Sequence, residues 1–85
     1  LDFDNTVECT FAGAVERERL LALPAVRDVK KENGAHLLFT TDVSATLAGL
    51  MGLTDGSGER VQSLQVRTAT LEDVFISLTG RRLRD

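Results

Sequence analysis

Few side chains in this 85-residue chain could do chemistry. Cys9 is the only cysteine and His36 the only histidine. A cysteine nucleophile needs a base beside it. Cys9, however, alternates in step with Val7 and Phe11, as a small buried apolar residue on a strand would. His36 has no cysteine partner at metal-ligand spacing and reads as a surface strand residue. Glu72 and Asp73 could form an acid/base pair, but adjacent helical residues do not face each other. Their simpler role is negative charge in a first helical turn, where the helix dipole favours it. The glycines around Gly56 and Gly58 are followed by no lysine and precede a strand, so they read as a turn and not a phosphate loop. Phosphate-ester or acyl-phosphate hydrolysis would need an anion-binding loop around an arginine; no glycine-rich turn frames Arg17 or Arg19. These residues give no catalytic, cofactor-binding or metal-ligating set.

Composition narrows the classes further. A formal net charge of −3 and a pI near 5.0 argue against a nucleic-acid surface, where a basic patch is expected. Base stacking is poorly provided for, with four Phe and neither Tyr nor Trp. The longest apolar run, Leu20 to Val26, contains Pro24 and falls far short of the roughly 20 residues of a membrane span. A lone cysteine excludes an internal disulfide and fits a reducing compartment. No charged-then-apolar leader stands at the start. The first residue is Leu1, so the chain reads as the C-terminal piece of a longer protein. Residues 1–5 then form a connector remnant and residues 6–85 a single domain.

The elements that would position any site follow from periodicity. Thr6 to Phe11 alternates as a strand, with Val7, Cys9 and Phe11 inward. Ala14 to Leu23 reads as a helix stopped by Pro24; Leu20 and Leu23 lie one way, Val15 and Ala22 another. Val26 to Glu32 is a polar, edge-like strand. Asn33-Gly34 is a hairpin turn signal, and Ala35 to Thr41 is the return strand. Asp42 can cap a helix from Val43 to about Met51, with Val43, Leu47 and Leu50 as its stripe. After the Thr54–Gly58 loop, Glu59 to Thr68 is a strand with Gln62, Leu64 and Val66 on one face. The order β-α-β-β-α-β is that of a ferredoxin-like α+β domain. Two helices would cover one face of an antiparallel sheet, with one extra helix at the C-terminus. The other face (Thr6, Glu8, Thr10, His36, Thr40, Ser63, Gln65, Arg67) is mostly polar, open to solvent, a partner or the final helix.

That final helix is the most completely specified stretch. Thr70 and Asp73 make a capping box, and Gly80 suits a left-handed C-terminal residue. Arg81, Arg82 and Arg84 stand at the negative end of the dipole. Leu71, Val74, Phe75 and Leu78 share the i, i+3, i+4, i+7 face expected to pack on the domain. Ile76 lies roughly 140° from Leu71 on the wheel, outside that stripe. The residues left over for a partner are therefore Glu72, Ile76, Arg81 and Arg82.

The segment from Thr70 to Arg81 resembles the C-terminal signature of ATP-binding subunits of bacterial ABC-type drug exporters, the daunorubicin-resistance type. That signature reads roughly Ser/Thr-Leu-Glu-Asp-Val-Phe-Leu-x-Leu-Thr-Gly-Arg; Ile76 stands where Leu is usual. Leu20-x-x-Leu23-Pro24-x-Val26-x-x-Val29 and Leu64-x-Val66 extend the resemblance in weaker form. The resemblance implies a cytoplasmic accessory domain, itself non-catalytic, placed after an ATPase domain that binds ATP and Mg. Its implied partners are that ATPase domain, a membrane permease subunit and a second copy of the ATPase, with no nucleic acid and no direct membrane insertion. The alternative from another class is a small-ligand-sensing domain, which would need an apolar, concave pocket with a few convergent polar groups.

Overall fold

The computed structural model describes residues 3–55 and 60–80. Its elements run β1 (Asn5–Phe11), α1 (Arg17–Leu21), β2 (Val26–Glu32), β3 (Ala35–Thr40), α2 (Val43–Thr54), β4 (Val61–Thr68) and α3 (Leu71–Thr79). The fold is mixed α+β, with a four-stranded sheet in the order β2-β3-β1-β4 and every neighbouring pair antiparallel.

Local chemistry sets the boundaries. Asn33 and Gly34 adopt φ of 51° and 82°, the paired left-handed conformation that a two-residue hairpin needs. Asp42 caps α2 by accepting from Ala45 N–H at 3.2 Å. This helix runs three residues past the expected Met51, to Thr54, whose hydroxyl donates to Leu50 O at 3.2 Å. By contrast α1 is only five residues long, against the ten expected. Val15 therefore lies ahead of the helix, free of the wheel that opposed it to Leu20, and it joins Leu20 and Leu23 in one buried cluster. Ala22 is exposed.

The register sorts side chains onto two faces. Val7 pairs with Leu38, Leu38 with Val29, and Val7 with Val66, so these share a face. Val7, Cys9, Val29 and Leu38 form a core with Val15, Leu20 and Leu23 from the α1 region and Leu50 of α2. On the opposite face Phe39 pairs with Thr6, and Leu37 with Glu8. There Phe3, Leu37 and Phe39 cluster with Ile76 of α3. The sheet is thus covered on both faces.

Several expectations change with this register. His36 pairs with Cys9 and Thr40 with Asn5, which moves both from the polar face to the side of α1 and α2. Leu37 and Phe39 fill the face expected to be mostly polar. Thr6 is fully buried. A bulge separates the Thr10–Ser63 pair from the Phe11–Val61 pair, leaving Gln62 out of register with Leu64 and Val66. Leu64 and Val66 stay largely exposed on the edge strand.

Residues 3–5 are part of the fold and not a connector. Phe3 is buried, its ring centroid 4.7 Å from that of Phe39. Asp4 N–H donates to Thr40 O, and Asp4 O accepts from Ala69 N–H, both at 3.0 Å. Leu1 and Asp2 lie outside the described residues.

Two buried hydroxyls, those of Thr40 and Thr46, are joined in a relay, whereas the buried Thr6 hydroxyl has no partner among the described residues. Thr46 Oγ1 donates to Pro24 O at 2.7 Å, which uses its single hydrogen. In its 2.6 Å contact with Thr40 Oγ1, Thr40 must therefore donate. Thr40 Oγ1 in turn accepts from Asp42 N–H at 3.0 Å, tying the end of β3 to the cap of α2. The helix passes close to the Pro24 turn at Gly49, where a Cβ would collide with the Pro24 ring.

Candidate functional site

The terminal helix keeps its predicted ends. Thr70 and Asp73 form the capping box, with Asp73 N–H donating to Thr70 Oγ1 at 3.2 Å and Thr70 N–H to Asp73 Oδ2 at 2.7 Å. Gly80 is left-handed at φ 78°, and its N–H donates to Ile76 O.

Its face, however, is turned the other way. Ile76 and Asp73 are buried, at 3% and 1% exposure, while Leu71 and Leu78 are 78% and 79% exposed. Val74 and Phe75 are half-buried. The assignment of Ile76 to a partner surface is overturned, because Phe3, Leu37 and Phe39 already surround it. The assignment of Leu71 and Leu78 to the core is overturned with it.

Polar anchors on the buried side explain the orientation. Arg67, on the same sheet face as Thr6, donates from Nη1 to Asp73 Oδ2 at 2.6 Å. One turn later Ser77 Oγ donates to Asp28 Oδ2 at 3.0 Å, reaching the far edge strand. A carboxylate as deeply buried as Asp73 must meet a cation or donors; Arg67 Nη1, Thr70 N–H and Thr70 Oγ1 supply them, all to Oδ2, while Oδ1 has no partner among the described residues. Once Asp73 points at the sheet, Leu71, Phe75 and Leu78, about 140–160° from it on the wheel, turn away from the sheet, Leu71 and Leu78 into solvent and Phe75 in part. The result is an apolar stripe along the outside of α3.

Of the four residues assigned to a partner surface, Glu72 is half-buried, Ile76 is in the core, and Arg81 and Arg82 lie outside the described residues. Sequence reasoning missed Leu71 and Leu78 as surface residues. The spacing of Asp73, Ile76 and Ser77 at i, i+3 and i+4 was the available signal, but an apolar stripe looked the stronger one.

A second feature sits at the other edge. A cavity of about 330 Å³ is lined by Val15, Arg17, Val29, Lys30, Lys31 and His36. Arg17 is held in place there: Nε donates to Val29 O at 3.0 Å and Nη2 to Asp28 Oδ1 at 2.9 Å. Asp28 Oδ1 also accepts from Val29 N–H at 2.8 Å. Both outward peptide groups of Val29 are thus satisfied, which closes this stretch of edge strand. Burial, followed by the charge of Lys31, holds the His36 imidazole below its ordinary pKa.

Cys9 offers no chemistry. It is fully buried, and burial, assisted by the charge of Glu8, pushes its thiol up to about 11 from an ordinary 9.0. The folded chain holds this proton more tightly than the unfolded one. Stability from this group is therefore intact below pH 9.0 and falls as pH rises through about 11. At pH 8 the native chain should resist a disulfide-exchange reagent and react fully only after denaturation; rapid native reaction would contradict the burial of Cys9. Among the described residues no group of three or more His, Cys, Asp or Glu could hold a metal ion, and no helix is long and apolar enough to cross a membrane.

In comparisons with known proteins, no family model, no curated protein and no solved structure matches this chain.

Proposed function

We propose that the chain is a non-catalytic interaction domain at the C-terminus of an ABC-type exporter ATP-binding protein. The observation that carries this reading is the exposure of Leu71 and Leu78, with the half-buried Phe75 between them, on the helix whose sequence resembles the exporter signature. A capped, anchored helix showing its apolar stripe to solvent is the expected form of a docking element. Its occupant would be the parent chain's own ATPase domain or the membrane permease subunit, with ATP and Mg bound in that ATPase domain. A second copy of the ATPase is the further partner that the resemblance implies. The location is cytoplasmic, peripheral to the membrane through the permease. The element order and the β2-β3-β1-β4 sheet are compatible with a ferredoxin-like βαββαβ domain bearing α3 as an addition.

The coding sequence upstream of Leu1 tests the reading directly. It should encode a G-x-x-x-x-G-K-[ST] phosphate loop; a continuous parent chain without one would overturn the assignment. The surface is tested separately in the parent protein by Leu71→Asp with Leu78→Asp. These changes should leave the domain folded and abolish co-purification with the permease or ordered docking on the ATPase. Intact assembly would remove the stripe from the interface.

A further inference from the structure

We propose that the cavity at the β2 edge is a binding site for a small organic carboxylate with an apolar body. Its volume, about 330 Å³, lies at the lower end of the range for small-ligand sites. The floor is apolar, from the buried Val15 and Val29. The rest of the lining is Arg17, Lys30, Lys31 and His36, with no carboxylate among them. Of these, Lys31 brings its charge to the side of Val29; Arg17 is already paired with Asp28, and Lys30, opposite Leu37 in the register, projects from the other sheet face. No ion pair among the described residues engages Lys30 or Lys31.

The strand geometry gives the site a direction. Lys31 pairs with His36 and shares its sheet face with Val29, two residues earlier. Peptide groups along an antiparallel edge point outward at every second residue. Those of Val29 are taken by Asp28 and Arg17, so the next outward N–H on the edge belongs to Lys31. A carboxylate could accept from that N–H and from the lysine ammonium together, as a charge-assisted pair. The apolar body of the ligand would then lie over Val15 and Val29. A bare phosphate would leave that apolar floor uncovered, and a neutral analogue would leave the cations unmatched.

This site is independent of the exporter reading. It supplies the concave, partly apolar pocket that a ligand-sensing domain requires. Amide NMR of the isotope-labelled chain tests it, with benzoate and hexanoate as probes and benzamide and inorganic phosphate as controls at fixed ionic strength. The carboxylates should give saturable shifts at Val29, Lys31 and His36. Lys31 is exposed, so Lys31→Met should keep the thermal midpoint and weaken carboxylate binding about fivefold. Absence of saturation by both carboxylates, or unchanged affinity in Lys31→Met, would overturn the site. Equal saturation by phosphate or by benzamide would overturn the organic-carboxylate assignment. None of these outcomes depends on the upstream sequence.

Discussion

Ile76→Ala should destabilise the chain by about 2–4 kcal/mol, the usual cost of truncating a buried aliphatic side chain. Ile76 is 3% exposed and closes the cluster of Phe3, Leu37 and Phe39. For a domain of this size the loss corresponds to a fall in melting temperature of about 10 °C or more. Leu78→Ala, four-fifths exposed on the same helix, should stay within about 0.5 kcal/mol of the parent. Leu71→Ala should match it. Urea unfolding followed by circular dichroism measures all three. The reverse ranking, with Leu71 and Leu78 costly and Ile76 neutral, would mean that α3 packs by its continuous apolar stripe.

Arg67→Met should be the most damaging change on β4. Removing one partner of a buried ion pair strands the other charge, at about 3–5 kcal/mol when both groups are enclosed. Asp73 is 1% exposed but the Arg67 side chain 31%, so solvent screens part of the loss and about 2–3 kcal/mol is expected. Methionine keeps the length of the arginine stem, which separates charge from packing. Asp73→Asn in the Arg67→Met background should recover part of the stability, because the buried carboxylate is then neutral while the side chain can still cap Thr70 N–H. A double-mutant cycle over these two positions measures their coupling. A stability change for Arg67→Met below about 0.5 kcal/mol would show that Asp73 does not depend on this cation.

The two experiments address the same question, namely what decides the rotation of a short amphipathic helix. Leu71, Val74, Phe75 and Leu78 are a correct reading of helical period, and period alone assigns them inward. The fold instead places Asp73 inward, because Arg67 on β4 and the Thr70 cap wait for it, and Ile76 and Ser77 follow by geometry. The exposed side of this helix is apolar at Leu71 and Leu78, residues that helical period assigns to the core.

What the sequence determined by itself is local. The Asn33-Gly34 turn, the Asp42 cap, the Thr70–Asp73 capping box and the Gly80 terminus each depend on residues within about four positions, where backbone sterics and side-chain reach leave few options. The alternation of Val7, Cys9 and Phe11 likewise marks the β1 face that meets the core beneath α1 and α2. Tertiary structure alone decided which faces meet. The register that pairs His36 with Cys9 moved that histidine to the side of α1, into a cationic cavity. The Arg17–Asp28 and Arg67–Asp73 pairs join residues whose separation along the chain carries no periodic signal. The exposed side of α3 and the cavity on β2 both arise from these tertiary pairings. They depend on which hydrogen bonds and charges the assembled sheet leaves to be satisfied, which hydrophobic period by itself does not encode.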